Sequence, residues 1–332
     1  MEMDAIKDTL GSEVVTVFKD LEQSYYSRCQ DQVSAKAACE KLLIEYPPDR
    51  LTEFTKRAPL ALAAESGDLG LALFWNAQAT LIQPLLAKLL TTETNSATLS
   101  LLLNVKKSSA GALAVSESKT HPLIVTSGEG GLLLDGDKRY ITGGAGADFL
   151  FLTGRSPAES TFSSMVFLPT SHIPADAMQK IDLGCFYTTN QAELHLSRFQ
   201  VRSENLLLTE TAILRRHLKV WGIIERSIIM EAILGLLLYL DERVYLLTGT
   251  GFPQINRIAA ALEELTCEID AQVDDAVSGD FVKPVRPVYK MLANAMFGFK
   301  SIYKANKSEL PPDIIYRFKD LFYFLNFLIK KP

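Results

Sequence analysis

Histidine is scarce in this 332-residue chain, and its four copies, His121, His172, His195 and His217, are isolated from one another and from the cysteines. Metal ligands come in closer sets, so no metal site is predicted. Cys29, Cys39, Cys185 and Cys267 lack pairing spacings, which predicts reduced thiols and a cytoplasmic protein. Basic excess is missing too. The net charge is −5 and no Lys/Arg cluster interleaves with aromatics, so no nucleic-acid partner is expected. The longest apolar run, Ile228 to Leu240, spans 13 residues and contains Glu231. A membrane span needs roughly 20, so a buried helix is predicted instead. The opening Met1-Glu2-Met3-Asp4 is acidic and has no apolar signal core, so no export is expected. No Gly-x-Ser-x-Gly elbow occurs. Gly143-Gly144-Ala145-Gly146 falls between strands rather than opening a helix, which removes the dinucleotide-binding reading.

What is present divides into three regions. Residues 1–107 read as a helical domain. Val14, Phe18, Leu21 and Tyr25 repeat at helical spacing, Pro47-Pro48 ends a second helix near Tyr46, and Leu69 to Leu90 form a long apolar helix that Pro84 should kink or restart. Residues 108–210 read as a β domain of short runs: Ala112–Val115, Leu123–Thr126, Leu132–Leu134, Tyr140–Thr142, Phe149–Thr153, Met165–Leu168 and Ala192–Leu196. Asp135-Gly136 predicts a type I′ turn between two of them. Residues 211–332 return to helical spacing, from Leu214 and Leu218 through Ile258–Val273 and Val288–Tyr303, with Asp313 predicted to cap a last helix running through Phe324. Helices, then strands, then helices predict an α+β fold with a central β domain.

Three segments carry a family resemblance. Val115-Ser116-Glu117 is similar to a Val-Thr-Glu strand end. Leu134-Asp135-Gly136-Asp137-Lys138-Arg139-Tyr140-Ile141-Thr142-Gly143-Gly144 resembles an "LNGxKxWITNG" stretch. Leu183-Gly184, Thr189, Leu194, Phe199, Val201 and Glu204-Asn205-Leu206-Leu207 resemble the run that closes the β domain. In this order they resemble the acyl-CoA dehydrogenase family over residues 65 to 300. The resemblance implies an N-terminal helical domain, a middle β domain and a C-terminal helical bundle around FAD. It implies that Thr142 and Tyr140 meet the flavin ring, with Val115, Ser116 and Ile141 beside them. Taken alone, Tyr140 reads as a half-buried strand aromatic and Thr142 as a strand-end cap.

The same resemblance implies an acyl thioester, on CoA or an acyl carrier, as substrate and a glutamate as base. "YRFKDLFYFLNFLIKKP" offers no glutamate at the chain-end position; "WGIIERSIIMEAILG" offers Glu225-Arg226, as in the isovaleryl and long-chain branches. Around Glu225, the i±3 and i±4 neighbours Trp221, Gly222, Ile228 and Ile229 include no base, which would raise a carboxylate's pKa. A solvated helix edge, or a distant basic partner, is the other reading. Ser118 and Arg226 are the candidate substrate contacts. Of the family's diphosphate motif only Arg243 remains, and the adenine-cradling glycines are absent, which predicts flavin binding dominated by the FMN half. The apolar stretch Leu321, Phe322, Phe324, Leu325, Phe327 and Leu328 predicts a homo-oligomer. An enzyme of this type, or a non-catalytic homologue paired with a related subunit, are the two functions implied; a flavin monooxygenase on the same fold is a third.

Overall fold

The computed structural model describes residues 20–27, 29, 54–105, 109–158, 162–208, 211–249, 251–252, 254–272 and 282–330. The readings at Val14, Phe18, Tyr46 and Pro47-Pro48, and Cys39, lie outside them. Among the described residues a helical segment at 20–27 is followed by four helices: α1 (Phe54–Ser66), α2 (Leu69–Asn76), α3 (Gln83–Thr92) and α4 (Ser96–Leu103). Asp68 caps α2 by accepting the Leu71 N–H. The long apolar helix predicted here is in fact α2 and α3 joined by a π-helical turn, Ala77–Ile82. Pro84 sits in the first turn of α3, where its missing N–H is tolerated, so the chain restarts there as predicted.

Eight strands follow: β1 (Gly111–Ala114), β2 (Ile124–Gly128), β3 (Gly131–Ile141), β4 (Phe149–Gly154), β5 (Ser164–Pro169), β6 (Met178–Lys180), β7 (Ala192–Val201) and β8 (Leu206–Leu208). They form two four-stranded sheets, ordered β1-β4-β5-β8 and β2-β3-β7-β6. Every residue of β4 is buried, which explains its unbroken "FLFL". Leu150 and Leu152 face the core between the sheets, whereas Phe149 and Phe151 face Ile82, Leu85 and Leu86 of the helical layer. Strand β3 is covered on one face and alternates accordingly, with Leu132, Leu134, Gly136 and Lys138 inward.

The pairing of β3 overturns the turn predicted at Asp135-Gly136. Asp135-Gly136 is not a hairpin turn; β3 runs through it, and the hairpin from β2 turns at Glu129-Gly130. Gly136 instead marks a bulge, with the register against β7 shifting between Leu134 and Gly136. Its φ is +133°, and an added Cβ would lie 2.3 Å from the Pro122 carbonyl oxygen. The local signal of a left-handed glycine was right, but close approach of another strand uses it.

Among the described residues four helices follow the strands: α5 (Thr211–Thr248), α6 (Ile255–Gln272), α7 (Val282–Asn306) and α8 (Pro312–Lys330). Asp313 lies inside the first turn of α8 rather than at its cap. The four helices share a core with α1 and α2 through Met230, Ile233, Leu237, Leu292 and Phe318. Leu321 and Leu325, expected to seek a partner, are buried in this same core. Among the described residues the exposed large apolar side chains are instead Tyr245, Leu246 and Leu247 on α5 and Phe297 on α7, with Leu103 and Tyr140 elsewhere. Among the described residues no helix is long and apolar enough to cross a membrane.

Candidate functional site at the end of strand β3

The pairing of β3 with β7 breaks a second time between Lys138 and Ile141. Arg139 and Tyr140 bulge out of the ladder, Tyr140 takes a left-handed φ of 56°, and its side chain is 51% exposed. A bulky residue held there is uncommon and needs support from its surroundings. The support comes from the segment leaving β1. The Arg139 N–H donates to Ser116 O at 2.9 Å, and Lys138 Nζ donates to Val115 O at 3.2 Å. Val115, Ser116, Tyr140 and Thr142, singled out separately in the sequence, therefore share one end of the β layers. Ile141 is in the segment, but its side chain turns into the core between the sheets. The Thr142 hydroxyl accepts from Gln191 Nε2 at 3.1 Å. Gly143, left-handed, lets the Phe74 ring of α2 pack against the backbone.

Aromatic rings from α8 stand nearby. Phe186 meets Tyr323 and Phe324 with ring centroids 5.2 and 5.1 Å apart. Burial, then the neighbouring Cys185 and Tyr140, raise the Tyr323 phenol above its ordinary range. Burial likewise pushes up the Cys185 thiol, with Asp320 adding to it.

Two buried ionic clusters brace this end. Lys138 occupies an inward position of β3, is wholly buried, and is held by Val115 O, Thr153 Oγ1 and Glu117 Oε2 at 3.2–3.3 Å. Glu117 also pairs with Arg155. Burial lowers the Lys138 pKa to about 8, and Glu117 opposes the shift. On the helical side, Asp320 of α8 accepts the Phe186 N–H at 2.7 Å and the Tyr25 hydroxyl at 3.1 Å. Burial raises its pKa to about 7, and the Phe186 hydrogen bond opposes this. Arg317, one turn earlier, lies over the Tyr25 and Tyr239 rings at 4.0 and 4.7 Å and donates to Asp313 and Ser66 O. Sequence reasoning missed Arg317, Asp320 and Gln191. For the first, a signal existed: Ile314, Arg317, Phe318, Leu321 and Leu325 follow one helical face, with arginine in an inward place.

The remaining candidates, Glu225, Arg226, Ser118 and Arg243, make other contacts. Among the described residues the titratable groups coupled to Glu225 are Arg226 and Tyr289 of α7. Both Glu225 and Arg226 reach solvent, yet enough protein crowds Glu225 for desolvation to raise its carboxyl above the ordinary range, with Arg226 opposing the rise. Ser118 is engaged locally, its hydroxyl 2.9 Å from Thr120 Oγ1. Arg243 is paired with Glu22, which also accepts the Tyr239 hydroxyl at 2.8 Å. This group lines an open cleft of about 490 Å³ together with Tyr26 and Asp313.

No protein-family model and no curated protein matches the chain. Solved structures do match. The FAD complex of PigA superposes with a TM-score of 0.72 at 14% identity, covering 99% of this chain and 96% of that one. Nitrososynthase from Micromonospora carbonacea var. africana gives 0.69 at 15% identity, over 93% and 89%. Butyryl-CoA dehydrogenase from Megasphaera elsdenii gives 0.65 at 16% identity, over 94% and 92%. The chain therefore has the fold of the acyl-CoA dehydrogenases, as its three motifs implied.

Proposed function

We propose that this protein is a flavin-dependent oxidoreductase whose ring-binding place is the end of β3. The observation that carries this is Tyr140, bulged at left-handed φ with a half-exposed ring that Arg139 overlies at 5.7 Å, beside the Thr142 hydroxyl and the Val115–Ser116 backbone. A fold relative solved as an FAD complex supports the choice of cofactor. The residues fit the isoalloxazine half: a flat ring face, a hydroxyl whose own proton is unspent, and strand-end backbone. They fit the diphosphate half less well, because Glu22 already holds Arg243. Flavin binding in this reading is weak and dominated by the FMN half.

The bound flavin would supply a hydride acceptor. Tyr140 would give it a wall, Thr142 would donate a hydrogen bond, and Phe186, Tyr323 and Phe324 would keep water away. The finer reading is α,β-dehydrogenation of an acyl thioester. Glu225, its carboxyl pushed up by the protein that crowds it although it reaches solvent, would take the α-proton, since a base works best with a pKa near ambient pH. Arg226 and Ser118 would meet the thioester's carrier. The Arg243–Glu22 pair favours a second reading, a non-catalytic subunit that completes a related one. Exposed Tyr245, Leu246 and Leu247 support assembly with a like or unlike subunit in either case.

The test is colour, then turnover. The protein is expected to take up FMN or FAD and absorb near 450 nm. Glu225→Gln is expected to lower turnover on an acyl-CoA roughly 10²-fold with the flavin band intact. A protein that stays colourless with both flavins ends the flavin reading. Bound flavin with no turnover on any acyl-CoA moves the weight to the subunit reading.

A further inference from the structure

The loop between Phe186 and Gln191 is held from several sides. Asp320 accepts the Phe186 N–H at 2.7 Å, and Asp68, the cap of α2, accepts the Thr188 hydroxyl at 2.8 Å. The Ala145 N–H donates to Asn190 O at 3.2 Å, and the Ile181 N–H to Gln191 O at 2.9 Å. Asn190 is left-handed, with φ 48°. What this fixed loop delivers is the Gln191 amide, whose Nε2 donates to Thr142 Oγ1 at 3.1 Å. A threonine hydroxyl that accepts on one lone pair still has its own proton to give. Among the described residues no side chain or carbonyl takes that proton. The second amide atom, Gln191 Oε1, is buried with no protein partner among them, and so is the adjacent Asn190 Oδ1. Native proteins keep few such atoms, and two in one dipeptide mark a hydrogen-bond chain left open at one end.

We propose that Gln191 is a positioning residue which turns the Thr142 O–H outward, toward a hydrogen-bond acceptor on the flavin ring. The proposal rests on the flavin reading above. Its content lies in the amide's orientation. With the amide reversed, Thr142 would donate to Gln191 and have no proton for a ligand. A glutamate at 191 imposes that reversed state, because a carboxylate only accepts.

The experiment titrates apoprotein with FMN and FAD and records the visible spectrum, for the wild type, Thr142→Ala, Gln191→Glu, Gln191→Leu and the Thr142→Ala/Gln191→Leu pair. Gln191→Glu is expected to weaken binding about tenfold, the worth of one good hydrogen bond, and to shift the flavin band as Thr142→Ala does. Gln191→Leu, which frees the hydroxyl to rotate, is expected to have a smaller effect of the same sign. The paired variant should match Thr142→Ala alone, because Gln191 acts through Thr142. Additive effects, or Gln191 variants with wild-type affinity and spectrum, overturn the proposal and leave the flavin reading standing. Where Gln191→Glu does not fold, Gln191→Leu and the pair decide. A wild type that binds neither flavin overturns both.

Discussion

The two ionic clusters beside β3 do similar work by opposite means. On the strand side a buried cation, Lys138, meets a full carboxylate, Glu117, which Arg155 shares. On the helical side the buried carboxylate Asp320 is held by neutral donors, a backbone N–H and a tyrosine hydroxyl, while Arg317 stacks on rings and answers to Asp313. The first cluster ties one strand end to its neighbours. The second ties α8 to α1, to the helical segment of residues 20–27 and to the loop that carries Gln191. A charge with an ionic partner loses less on burial than one with neutral partners only. Both groups shift toward neutrality, and their pH dependences run opposite ways.

The comparison breaks most sharply at Arg317. Arg317→Ala leaves Asp313 without its partner, Ser66 O without a donor, and a void between two tyrosines. A loss of about 3–5 kcal/mol in chemical denaturation is expected. A loss below about 1 kcal/mol would mean that the stacked cation matters little. Lys138→Met is expected to cost less, about 1–2 kcal/mol, because Glu117 keeps Arg155. Equal losses at the two sites would mean that the two clusters do not differ in how they hold a buried charge.

The pH profile gives a smaller effect of definite sign. Asp320 rises from 3.8 to about 7, so between those values the folded state binds more protons than the unfolded one, and its contribution to stability declines as pH rises through this window. Lys138 falls from 10.5 to about 8, so the unfolded state binds more protons there, and stability should increase as pH climbs from 8 to 10.5. Each slope is at most about 1.4 kcal/mol per pH unit. Asp320→Asn should flatten the acid limb alone, and Lys138→Met the alkaline limb alone, in urea titrations across pH. A variant that flattens the other limb would show that the group has been misassigned.

The order of helices and strands was legible in the sequence because period-2 and period-3.6 patterns are local. The bracing of the site was not. Gln191 is an ordinary polar residue until a β-bulge and a left-handed Asn190 bring it to Thr142. Asp135-Gly136 looked like a turn because turns and bulges ask the same backbone freedom of glycine; only the distant Pro122 carbonyl decides between them. Lys138 belongs to the motif at the end of β3, yet its burial follows from register, since it falls on the inward beat set by Leu132 and Leu134. Arg243 carried an expectation that Glu22, 221 residues away in sequence, now competes with.

The π-helical turn at Ala77–Ile82 has a consequence for how the gene can change. Gln78, within it, grips both backbone groups of Gly111, donating to the carbonyl at 2.6 Å and accepting the N–H at 2.9 Å. Such a turn holds one residue more than an α-helix needs. A chain missing one codon in this stretch could close the helix into regular α geometry without breaking it. Everything downstream would then rotate by about 100°, swinging Leu85, Leu86 and Leu89 off the aromatic face of the sheet. Loops elsewhere can absorb a deleted residue; this helix can keep its shape and still lose its address.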